Sequence, residues 1–260
     1  MMILYGDCMN NNIEIISKIS NTEMSMVYVG KNKKTEEKFI IKKKLADYDS
    51  KKVLEIYKKL NHPALPKVIT HFKDQGIYYE VLEFVDGISL KEKLDKEGRQ
   101  KEEDVVNWAL QLCDVFIYLH SRNPKIIYRD LKPGNIMLDK NNKIYLIDFG
   151  TIREYDASKR QDTIRLGTIG YAAPEQYDKN AQTDERTDIY TFGITLYYLL
   201  TNKSPCEKPY KIYPIRYWYK ELSDELERII KKCTQKEPNK RYKTFEEVKF
   251  ELENYKDPIL

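Results

Sequence analysis

No apolar run among the 260 residues approaches the ~18–20 that a membrane-spanning helix needs, so no span is expected. Cysteine is scarce as well. Cys8, Cys113, Cys206 and Cys233 stand far apart with no CxxC pair, which argues against a thiolate metal site or a disulfide framework and fits a reducing compartment. The opening MMILYGDC lacks the basic flank and the length of a signal peptide. An excess of one charge is also missing: 45 Lys+Arg against 41 Asp+Glu leave +4, too little to point to nucleic acid. No repeat, low-complexity tract or Pro/Gly/Ser-rich linker divides the chain. A cytoplasmic protein is expected, long enough for one large domain or two close-packed lobes.

What is there changes character along the chain. The first third reads as strands at 13–19, 26–30, 38–42, 67–72 and 77–83, most of them separated by turn residues such as KNKKT and KDQG. One helix, SKKVLEIYKKL, lies among them and is stopped by NHP. The remainder reads as helical. From Glu102, residues Val105, Ala109, Leu112, Phe116 and Leu119 recur at helical steps on one face, with acids at the N-terminal end where the helix dipole favours them. DIYTFGITLYYLLT is apolar nearly all round and is expected to be buried. Helical patterns also fit 223–235 and 244–255.

Chemistry concentrates in IIYRDLKPGNIML, where an Asp is followed two residues later by Lys and five later by Asn. Soon after, IYLIDFG ends a strand in Asp–Phe–Gly. Three oxygen-bearing side chains on loops beside strand ends suit a Mg-nucleotide site, because Mg²⁺ takes hard oxygen ligands from one or two protein groups plus substrate phosphates.

With GTIGYAAPE and EPNKRY further on, this pattern closely resembles the eukaryotic-type (Hanks-type) Ser/Thr protein kinases, in wording like the bacterial ones. The likeness runs over nearly the whole chain. It implies an α+β, bilobal fold: an antiparallel-sheet N-lobe with one helix over 1–85 and a mainly helical C-lobe over 86–260, together one kinase domain. By the resemblance, Asp130 accepts or orients the proton of the substrate hydroxyl and Lys132 neutralises the transferring phosphoryl group. Asn135 and Asp148 hold Mg²⁺, with Mn²⁺ as the alternative ion. Glu175 pairs with Arg241, and Asp188 holds the catalytic loop by its N–H groups. Tyr128 stands where the family usually has His. The RDLKPxN form and Thr168 after Gly167 resemble Ser/Thr rather than tyrosine kinases. ATP, protein substrates and a transient homodimer during autophosphorylation are the implied partners.

The ATP-binding lobe departs from the pattern. Three glycine positions of the phosphate-covering turn fall on Ser20, Thr22 and Ser25, flanked by Ile19 and Val27. A side chain forced left-handed costs roughly 1–2 kcal/mol, so one or two such positions weaken ATP about ten- to hundredfold. KFIIKKK supplies the ATP-binding lysine: alternation favours Lys42, with Lys43 and Lys44 as register competitors. Ile40 then replaces an alanine over the adenine, an overpacking of ~1–3 kcal/mol unless neighbours shrink. The resemblance makes Leu82 the gatekeeper, has the backbone of Glu83 and Val85 bond the adenine, and places Met137 in the ATP-binding pocket. The acid expected opposite Lys42 falls on Val53. Either the helix is shifted and Glu55 makes the pair, or no such pair exists.

Two readings follow from different classes. A working kinase keeps Asp130, Lys132, Asn135 and Asp148, which do most of the positioning and charge neutralisation that phosphoryl transfer needs. A pseudokinase, binding or scaffolding with or without nucleotide, accounts for the glycine-free turn, Ile40 and Val53. For control, Arg129 precedes the catalytic Asp, and the resemblance makes the span from Asp148 to Glu175 the activation segment, with Thr163 the expected autophosphorylation site and Thr168 a further regulatory hydroxyl.

Overall fold

Phe39 and Ile41 decide which way the first sheet faces. Phe39 and Ile41 are buried with Tyr79 and Val81 in one cluster, against which Ile13, Tyr28, Phe72 and Ile77 pack. Side chains on a strand point alternately to opposite faces, so Ile40, Lys42 and Lys44 share the other face. The computed structural model describes residues 13–21, 25–45, 48–74, 76–159, 161–162, 167–208 and 210–256. The chain divides into two units, Met1–Asp86 and Gly87–Leu260.

The first unit holds β1 (Ile13–Asn21), β2 (Ser25–Asn32), β3 (Lys38–Leu45), α1 (Tyr48–Tyr57), β4 (Val68–Asp74) and β5 (Ile77–Glu83). The strands form one antiparallel sheet in the order β1-β2-β3-β5-β4. The turn after β2 is built by Asn32, whose Oδ1 accepts from the backbone N–H of Lys34 at 2.9 Å and of Thr35 at 3.2 Å. Phe39 can reach the core only because residue 30 is glycine, since a Cβ there would lie 2.4 Å from the Phe39 ring. The helix read as SKKVLEIYKKL begins at Tyr48 and ends at Tyr57. Leu60 N–H closes the chain onto Tyr57 O at 2.9 Å in a turn instead.

The second unit adds β6 (Gly87–Ser89), α2 (Leu90–Glu97), α3 (Glu102–His120), β7 (Ile126–Ile127), β8 (Ile136–Asp139), β9 (Ile144–Leu146) and β10 (Arg153–Glu154). There follow α4 (Glu185–Thr201), α5 (Ile215–Trp218), α6 (Asp224–Cys233) and α7 (Phe245–Glu253). The apolar stripe of α3 is buried as its spacing predicts. Phe116 on that stripe stacks on Phe245 of α7 with centroids 4.5 Å apart, and Phe192 of α4 meets Phe245 edge-on at 5.3 Å. α4 is buried nearly all round, and it starts three residues before Asp188, where the Asp184 carboxylate accepts from Arg186 N–H. Two small sheets frame the site: β6-β8-β9, and β7 paired with β10. No described helix is long and apolar enough to cross a membrane.

Candidate active site

The loop between β7 and β8 carries the charged residues. At its start the chain must turn sharply, and Arg129 does so with a left-handed φ of +73°. That conformation is costly for a side-chain-bearing residue, so the neighbours that hold it matter. Asp188, with no exposed surface, accepts from Arg129 N–H at 2.7 Å through one oxygen and from Tyr128 N–H at 2.9 Å through the other. His120 Nε2 lies 2.9 Å from that second oxygen. Gln176 Nε2 donates to Arg129 O at 2.9 Å. Tyr128 is fully buried, edge-on to Phe149 at 5.5 Å and to Phe116 at 6.0 Å.

Held this way, Asp130 turns its carboxylate toward two partners. Lys132 Nζ donates to Oδ2 at 2.8 Å, and Thr168 Oγ1 donates to Oδ1 at 2.7 Å. Lys132 Nζ also lies 2.7 Å from Thr168 Oγ1, which closes a three-membered ring of charge-assisted bonds. Thr168, expected among the regulatory hydroxyls, therefore stands beside Asp130 and Lys132. Tyr171 is close by. Burial first, then Cys206, Tyr198 and Asp130, push its phenol up, so it stays a neutral O–H donor.

Asn135 closes the loop. Its Nδ2 donates to Asp130 O at 2.8 Å and to Oδ2 at 3.2 Å, which commits the amide nitrogen to the loop. Asn135 O accepts from Ile147 N–H at 3.0 Å, so the chain entering Asp148 is tied to the residue just before β8. Asp148 Oδ1 accepts from Gly150 N–H at 3.2 Å. An amide oxygen and a carboxylate are hard donors of the kind Mg²⁺ takes, in the number it usually draws from protein. Met137 follows on β8, where it pairs with Ser89 and Tyr145.

Below this loop, Glu175 and Arg241 form a bidentate pair at 2.7 and 2.9 Å, almost wholly buried. Arg241 spends its remaining donors on the carbonyls of Gln235, Lys236 and Arg186, so the buried guanidinium is satisfied.

In the first unit, Lys42 lies opposite Val27 on β2 and Glu80 on β5, and Ile40 lies opposite Leu82. Of its register competitors, Lys43 points to the core face, 6.0 Å over the Tyr79 ring. Lys44 shares the Lys42 face and pairs with Glu80 at 3.3 Å. Glu80 is 5 % exposed, a buried acid between the buried Tyr79 and Val81. Ile19 and Ser20 are exposed on β1, with Ser20 opposite Val27, and Ser25 opens β2. Glu83 accepts from Lys67 N–H at 2.9 Å through its side chain, and Val85 is half-buried. Glu55, the possible partner of Lys42, is half exposed on α1, where its carboxylate lies 3.4 Å from Lys58. Thr22 and Thr163 lie outside the described residues.

Sequence reasoning missed Glu80, His120 and Gln176. Two were signalled: Glu80 is two residues before Leu82 on the same strand face, and His120 is one helical turn past Phe116 on the buried stripe. We expect Glu80→Leu to lower stability by about 1–3 kcal/mol, because it leaves the Lys44 ammonium without its carboxylate on a largely buried face. Adding Lys44→Met should recover most of that loss, a coupling on the order of 1 kcal/mol in urea unfolding. Additive losses would show that the pair contributes nothing.

A family model described as the protein kinase domain matches residues 13–251. R436 of Acanthamoeba polyphaga mimivirus, named for the serine/threonine-protein kinases, is 32 % identical over 276 residues, covering 95 % of each chain. The serine/threonine-protein kinase RUNKEL of Arabidopsis thaliana is 35 % identical over 198 residues, 75 % of this chain and 14 % of that protein. The serine/threonine-protein kinase PrkC of Bacillus subtilis (strain 168) is 26 % identical over 270 residues, 96 % of this chain and 41 % of that one. The chain thus spans nearly all of one relative and less than half of the other two.

Proposed function

This chain belongs to the protein kinase family, and on that footing we propose that it transfers the γ-phosphoryl group of ATP to serine and threonine hydroxyls of proteins, its own activation segment included. The observation that carries the reading is the closed ring of Asp130, Lys132 and Thr168. A carboxylate beside a fixed cation can take the proton of an incoming hydroxyl while the cation balances the charge spreading over the phosphoryl oxygens. Asn135 and Asp148 would hold Mg²⁺, which would supply charge neutralisation for the nucleotide phosphates. Lys42 would hold the phosphates from the first unit, and the backbone of Glu83 and Val85 would take the adenine. We place the protein in the cytoplasm, in keeping with the free thiols of Cys113, Cys206 and Cys233.

A scaffold without catalysis would need none of this. Asp130, Lys132, Asn135 and Asp148 are all kept, whereas the departures at Ser20, Thr22, Ser25, Ile40 and Val53 fall in the ATP-binding lobe. The test is transfer of labelled phosphate from Mg-ATP to the purified chain and to a generic protein substrate, followed by phosphoamino-acid analysis. Phosphoserine and phosphothreonine are expected, Thr163 among the modified sites, with a self-labelling rate that rises as the square of protein concentration if copies phosphorylate one another. ATP binding without incorporation into any protein would overturn the reading. Phosphate appearing on a small metabolite but never on protein would replace it with a small-molecule kinase.

A further inference from the structure

We propose that Asp162 is a built-in anion that positions Arg129, so that Asp130 is held for catalysis without a phosphate on the activation segment. The inference rests on the kinase reading above. The Asp162 side chain is 11 % exposed and sits at two guanidinium groups. Arg129 Nη1 is 3.7 Å from Oδ2, and Arg153 forms a closer ion pair with Oδ1. Thr183 donates to Oδ2 twice, from Oγ1 at 2.7 Å and from N–H at 3.3 Å, and Asp162 N–H donates to Ala181 O at 3.2 Å. Arg153 in turn donates to Thr183 O at 3.0 Å.

Arginine does not give up its charge in proteins, and side chains as enclosed as these, 8 % and 16 % exposed, need an anion nearby. Burial pushes the Arg153 guanidinium below its usual range, and Asp162 is the first of the acidic neighbours that pull it back. The second oxygen of Asp162 reaches Arg129, whose Nε already donates to Thr151 O at 2.7 Å. The guanidinium is thus fixed on both sides, one residue before Asp130. A phosphate added to a loop acts by bringing about −2 charge to arginines placed like these. Here a carboxylate of the chain itself supplies the anion, anchored by the segment just before α4.

The test uses the full chain after exhaustive treatment with a protein phosphatase, checked by mass. The dephosphorylated wild type and Thr163→Ala should both keep kcat within about twofold of the untreated protein. Asp162→Asn, which removes the charge but keeps the shape, should lower kcat on the order of ten- to a hundredfold with little change in KM for ATP. Asp162→Glu, or sodium sulfate compared with sodium chloride at equal ionic strength, should restore part of the loss. Amide hydrogen exchange at 127–131 and 151–156 should quicken in Asp162→Asn. Wild-type kcat in Asp162→Asn, or an inactive dephosphorylated wild type revived by autophosphorylation, would overturn the inference. So would a loss that neither Glu nor sulfate relieves and that tracks a lowered unfolding midpoint. If the wild type phosphorylates no protein at all, the functional reading fails instead; exchange unchanged by Asp162→Asn would then overturn this inference by itself.

Discussion

Asp130→Asn is expected to lower kcat on the order of a thousandfold while ATP affinity and the thermal midpoint stay close to wild type. The reasoning lies in the ring of bonds around the carboxylate. Lys132 can only donate, whereas the hydroxyl of Thr168 can donate or accept. An asparagine can therefore turn its oxygen to Lys132, replacing the 2.8 Å bond, and its nitrogen to Thr168 Oγ1, with the hydroxyl rotating to accept. The loop keeps its shape and loses only a group able to take a proton. Steady-state transfer to a peptide, with ATP binding by calorimetry, separates the two effects. A variant within tenfold of wild type would remove Asp130 from the chemistry.

Asp188→Ala is expected to cost about 3–5 kcal/mol of unfolding free energy and to reduce kcat on the order of a hundredfold or more in whatever protein remains folded. Three buried groups lose their acceptor at once: the N–H groups of Tyr128 and Arg129, and the His120 ring. Asp188 has no exposed surface, so bulk solvent does not stand in for the lost carboxylate. The left-handed Arg129 then loses the acceptor for its N–H, one of the three holds on its strained backbone, and the loop relaxes away from the geometry that aims Asp130. Denaturant unfolding monitored beside activity checks both halves. A free energy within about 1 kcal/mol of wild type would mean that the loop is held by other contacts.

The pattern of what could be read from the sequence follows from how local each signal is. β1 to β5 and the helices α3 and α4 announce themselves because alternation and helical spacing persist over many residues. α2 does not, since Leu90 and Leu94 are its only buried side chains. Its signal is the reciprocal capping of Ser89 and Glu92, at 3.1 and 2.9 Å, which the sequence writes as SLKE. The loop Asp, Lys and Asn are legible as a spacing, and the Glu175–Arg241 pair as a resemblance. Their supports are not. Gln176 and Asp162 reach Arg129 from 47 and 33 positions away, and no local pattern marks an acid or an amide for that task. Glu80 is the opposite case, open to simple alternation but masked by the search for an acid on α1.

Arg129 is where these threads meet. Its N–H answers to α4 through Asp188, its carbonyl to Gln176 in the turn Pro174–Gln176, and its guanidinium to Asp162 and Thr151 on the activation segment. Such a residue behaves as a coincidence detector: the neighbouring Asp130 is aimed only when all three grips agree. Damage far from the reacting atoms, in the seating of a helix or in the order of a loop, would then surface as the same symptom. Turnover would be lost with nucleotide binding intact, and variants at remote positions should cluster into that one kinetic phenotype.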